Sequence, residues 1–69
     1  MLRVVFGMNL KYHRIRLGLT QEEAAARCKL SSEYWGKMER GTQAATLDTV
    51  EKISVGLNVP ARELFTEVT

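Results

Sequence analysis

One cysteine, one histidine and one proline in 69 residues set the first limits. Cys28 has no partner in its own chain, so no intrachain disulfide staples the fold, and its place among apolar positions makes it a small core residue. Without a second histidine or a convergent cysteine there is no ligand set for a metal, and His13, on an apolar seam, is read as a packed imidazole. No serine, cysteine or carboxylate has a spaced histidine or second acid, so no catalytic residues are assigned and the chain is not read as an enzyme. No cofactor or small-molecule ligand is expected. The sequence also lacks an apolar run near 18 residues, and Met1 to Phe6 is too short for a secretory signal, so a cytoplasmic protein with no membrane contact is expected. Repeats, low-complexity tracts and linkers are absent as well. Residues 1–69 are therefore read as one domain, with a single core that buries only about 60% of the unfolded surface.

Acidic residues are missing from the first 21 positions of the chain. Before Glu22 stand Arg3, Lys11, Arg14 and Arg16 and no carboxylate, whereas from Thr46 onward Asp48, Glu51, Glu63 and Glu67 outnumber Lys52 and Arg62. The net charge of +2 says little, but the polarity fits a one-sided polyanion binder.

What is present is helical. Phe6, Leu10, His13 and Leu17 share one face of a first helix that stops at Gly18. Residues 1–6 are open to three readings: a loose arm, an extension of that helix, or a strand pairing with a second copy. Thr20 and Glu23 form a capping box, so a second helix starts at Gln21, with Ala24 and Cys28 one turn apart. Lys29, Leu30 and Ser31 leave no room for a strand. Ser31 caps a third helix from Ser32 to about Arg40, carrying Trp35 and Met38 inward and ended by Gly41. Thr46 caps a fourth helix, on which Leu47, Val50, Ile53 and Leu57 mark a buried face; Asn58 takes its left-handed stop, and Pro60 opens a fifth, short helix ending near Phe65. Glu23 with Arg27, Glu33 with Lys37 and Asp48 with Lys52 are spaced to pair along their helices.

HRIRLGLTQEEAAA at 13–26, MERG at 38–41 and TLDTVEKISVGLNVPARELF at 46–65, in this order and spacing, resemble the lambdoid phage repressor and Cro, or Xre, family. The resemblance implies an all-α, five-helix lambda-repressor-like domain with a helix-turn-helix at about 21–40, and a sequence-specific regulator that binds double-stranded DNA as a dimer. Helix three would enter the major groove with Ser31, Ser32, Glu33, Gly36 and Lys37 toward base edges. Gln21 matches the family's phosphate-contacting glutamine, and Thr20, Arg40, Thr42 and Gln43 are expected at phosphates too. Arg14 and Glu39 match an arginine and a glutamate expected to form a structural ion pair. The chain departs from the family at Lys29, where glycine is usual, at Ala24 and Trp35, which exchange volume in the core, and at Gly36, usually polar. A homodimer through Leu64, Phe65 and Val68, with Leu57 as a further candidate, is expected because they exceed what a small monomer covers. The alternative is a protein-interaction module, an antitoxin or adaptor that keeps the fold.

Overall fold

In the computed structural model, which describes residues 1–67, four α-helices follow one another: α1 (Leu2–Arg16), α2 (Gln21–Arg27), α3 (Ser32–Glu39) and α4 (Leu47–Leu57). The fifth helix expected from Pro60 is instead a 3-10 turn, Ala61–Leu64. Only four residues separate Pro60 from Phe65, whose φ of −122° leaves helical space, and the segment closes with i→i+3 bonds from Glu63 N to Pro60 O (2.9 Å) and Phe65 N to Arg62 O (3.2 Å).

Each α-helix ends in the same way. The residue after the last turn is left-handed, at Gly18, Lys29, Gly41 and Asn58. The next amide then bonds back five residues: Leu19 N to Arg14 O, Leu30 N to Ala25 O, Thr42 N to Lys37 O and Val59 N to Ser54 O. These are Schellman closures, and they reverse the chain within two or three residues.

Of the three readings for residues 1–6, the structure shows the helical extension. Val4 and Val5 disfavour helix locally, but Phe6 is buried and Gly7 lets α1 rest directly on the end of α3. A Cβ at Gly7 would collide with the carbonyl oxygens of Met38 and Glu39, the latter at 2.8 Å. Leu10, Trp35, Met38, Ile53 and Leu64 form the fully buried centre.

Two apolar positions assigned to buried faces lie outside. Leu47 is 87% exposed, because an advance of about 100° per residue gathers Val50, Ile53 and Leu57 within about 60° and leaves Leu47 about 60° beyond them. Leu17 falls past the last turn of α1 and is 44% exposed. None of the three helix-face charge pairs closes; among the described residues the one ion pair joins Arg14 to Glu39.

Candidate nucleic-acid interface

The segment between α1 and α4 is two helices whose starts are fixed by their own side chains. Thr20 Oγ1 accepts from Glu23 N at 3.1 Å while Thr20 N donates to Glu23 Oε1 at 2.8 Å. Ser31 Oγ accepts from Tyr34 N at 3.1 Å. The left-handed Lys29 turns the chain between them, and Ala24, Ala25 and Trp35 fill the angle, each almost free of solvent contact. Trp35 is wholly buried, consistent with the volume exchange against Ala24.

Gln21 and Glu22 at the start of α2 face Ser32, Glu33 and Gly36 of α3, and Arg40 at its C-terminal cap, across an open cleft. Three of the residues assigned to base edges thus share a surface with two assigned to phosphates. Ser31 and Lys37 are exposed but do not line the cleft. Gly36 does not project outward: it is buried beneath its neighbours, and a Cβ there would lie 3.2 Å from Arg40 Nη1 and 3.6 Å from Gln21 Oε1. Thr20 and Thr42 both spend a hydroxyl on the backbone, Thr20 on its cap and Thr42 by donating to Lys37 O at 3.1 Å; Gln43 is exposed.

Behind the cleft, one carboxylate organises the packing. Glu39, whose side chain is only 4% exposed, accepts from Arg14 Nε (2.6 Å) and Nη2 (3.2 Å), from Gln21 Nε2 (3.1 Å) and from Trp35 Nε1 (2.5 Å). Arg14 also donates to Leu19 O at 3.0 Å, tying α1 to the entrance of α2. Burial pushes the Glu39 carboxyl toward its neutral form, but the bonds from Arg14, Gln21 and Trp35 and the charge of Arg14 outweigh it and hold its pKa below the usual glutamate range. Sequence reasoning reached Arg14 and missed the other two donors. The i, i+4 spacing of Trp35 and Glu39 was the available signal. Cys28 lies under α4, and burial raises its thiol pKa against the opposing pull of Arg27.

A second surface is apolar. Leu64, assigned to a dimer contact, is fully buried in its own chain because the 3-10 turn folds it under α1 and α4; Leu57 is buried likewise. Val68 lies outside the described residues. Phe65 remains 38% exposed and stacks on Phe6 with ring centroids 5.3 Å apart. It borders a groove shared with Met1, Leu2 and Leu47, which face solvent. Among the described residues no helix is long and apolar enough to cross a membrane.

Comparison with known proteins agrees with this geometry. The family model described as a helix-turn-helix domain matches residues 5–65. The control protein C.BamHI of Bacillus amyloliquefaciens is 35% identical over 65 residues, which span 93% of this chain and 80% of that protein. The hypothetical transcription factor NHTF from Neisseria superposes with a TM-score of 0.92 at 33% identity, covering 97% of this chain and 77% of the other. The restriction-modification controller protein C.AhdI from Aeromonas hydrophila gives 0.88 at 36% identity, covering 91% and 96%. With the capped two-helix unit, its tight turn and this match along most of its length, the chain belongs to the helix-turn-helix domain family, in its lambdoid repressor and Cro-like, or Xre, group.

Proposed function

We propose that this protein is a cytoplasmic transcriptional regulator that binds specific double-stranded DNA as a homodimer, with α3 in the major groove and the start of α2 against the backbone. The observation that carries the reading is the cleft between α2 and α3, where Ser32, Glu33 and Arg40 stand open to solvent with Gln21 anchored beside them. Hydroxyl, carboxylate, amide and guanidinium groups are the chemistry that reads base edges and holds phosphates. Relatives named as control and controller proteins, and matched over most of their length, support a regulator. The domain offers one recognition helix, so two copies on half-sites about one helical turn apart supply usable affinity. The pairing surface is the apolar groove of Met1, Leu2, Leu47 and Phe65.

The test is binding to the DNA upstream of the protein's own coding sequence, measured against salt beside a scrambled duplex. Tighter binding to the upstream DNA, falling steeply as salt rises, is expected. Equal, weak binding to both would pass the lead to a protein-interaction module. Lys37 is expected to contact a base from its exposed position on α3, so Lys37→Ala should lower affinity for the preferred site by about 1 to 3 kcal/mol.

A further inference from the structure

Gly36 sits inside α3, where glycine costs helix stability relative to alanine because it orders more backbone. Its vacant side is not empty. Arg40 lies one turn further on, and its backbone N donates to Gly36 O at 3.1 Å. Arg40 keeps helical backbone angles (φ −80°, ψ −7°), so its side chain leans back toward the start of the helix and over Gly36. There Nη1 lies 3.2 Å from the place a Cβ would occupy. The guanidinium makes no hydrogen bond or ion pair among the described residues, and it shares the cleft with Ser32 and Glu33.

We propose that Arg40 reads a base, its guanidinium passing through the gap over Gly36 to the edge of a guanine, and that Gly36 is the residue that permits it. This rests on the reading of α3 as the helix in the major groove. A residue at the end of that helix ordinarily suits a phosphate. Here the side chain is directed away from the helix end, toward the residues nearest the base edges. The planar fork of arginine matches O6 and N7 of guanine with two parallel donors, a closer geometric fit than the single ammonium of Lys37 offers. Any longer side chain at residue 36 would occupy the path. Gln21, held by Glu39 through Nε2, borders the same gap with its Oε1.

Selection of binding sites from random duplex DNA with the parent and with Gly36→Ala, Arg40→Lys and Arg40→Ala decides the matter. Gly36→Ala meets only the movable end of Arg40 and Gln21 and improves helix propensity, so it folds. The parent is expected to enrich a motif with one guanine per half-site whose preference is lost in Arg40→Ala and blurred in Gly36→Ala. Arg40→Lys should keep its affinity for scrambled duplex and its salt slope, yet lose on the order of 5- to 150-fold discrimination at that base pair. An unchanged motif in Arg40→Ala, with all DNA weakened equally and the salt slope reduced by about one per contact, makes Arg40 a phosphate contact and overturns the proposal. An unchanged motif in Gly36→Ala removes the role of the gap. In either case the regulator reading stands; a parent that enriches no motif brings down both.

Discussion

Replace Glu39 by methionine, and Arg14, Gln21 and Trp35 lose their common acceptor at once. The Arg14 and Glu39 side chains are 14% and 4% exposed, which puts the pair among buried ion pairs, where removing one partner costs about 3 to 5 kcal/mol. At this chain length each kcal/mol moves the melting temperature by roughly 4–8 °C. Glu39→Met is therefore expected to melt at least about 12 °C below the parent in far-ultraviolet circular dichroism. Arg14→Met leaves the carboxylate two neutral donors and should cost less. The double variant should be no worse than Glu39→Met alone, because the stranded guanidinium is gone. Acid should act through the same group. The folded pKa of Glu39 lies below its unfolded value, so the contribution is complete above the ordinary glutamate value of 4.5 and is lost as pH falls through the lower folded value. Glu39→Gln should accordingly lose less stability than the parent as pH falls below the ordinary glutamate value. If both single methionine variants melt with the parent and the coupling is under about 1 kcal/mol, the pair behaves as solvated charges and the argument fails.

Trp35→Ala removes a fully buried indole together with one Glu39 donor, and should cost about 3 to 5 kcal/mol, much of what so small a domain has; a variant with near-parental urea midpoint would refute this. Sedimentation equilibrium at tens of micromolar should give the mass of two chains, and Leu47→Glu, which alters only a solvent-facing side chain, should reduce it to one without lowering helix content. A parent mass of one chain counts against the apolar groove as a pairing surface.

The parts of this fold legible in the sequence are those fixed by residues three or four apart. Thr20, Ser31 and Thr46 each bond the amide three residues on, so the starts of α2, α3 and α4 follow from local chemistry. The start of α1 does not, because two valines argue against helix and the contact that overrides them, Gly7 on the end of α3, spans more than thirty residues. Leu64 lies buried because the 3-10 turn folds it under the helices, a placement that periodicity does not set, whereas the exposure of Leu47 follows from its angular position on α4. At the candidate site the residue types were legible, but not that Arg40 would share a cleft with Ser32, or that Gln21 would bond to Glu39.

The turn of the helix-turn-helix carries a local cost that sequence and structure expose together. Lys29 (φ +59°) and Asn58 (φ +57°) occupy equivalent left-handed positions in equivalent Schellman closures. Asparagine tolerates that region through its short polar side chain, whereas for lysine it costs about 1 to 2 kcal/mol. Glycine at either position also loosens the unfolded chain, by about 0.4 to 1 kcal/mol. Lys29→Gly should therefore gain about 0.5 to 1 kcal/mol, visible as a rise of several degrees in melting temperature. Asn58→Gly should gain nothing or lose slightly. Both side chains are exposed, so neither change removes packing and the comparison isolates the backbone. A Lys29→Gly variant no more stable than Asn58→Gly would show that the lysine is unstrained in this turn, and that its departure from glycine costs the fold nothing.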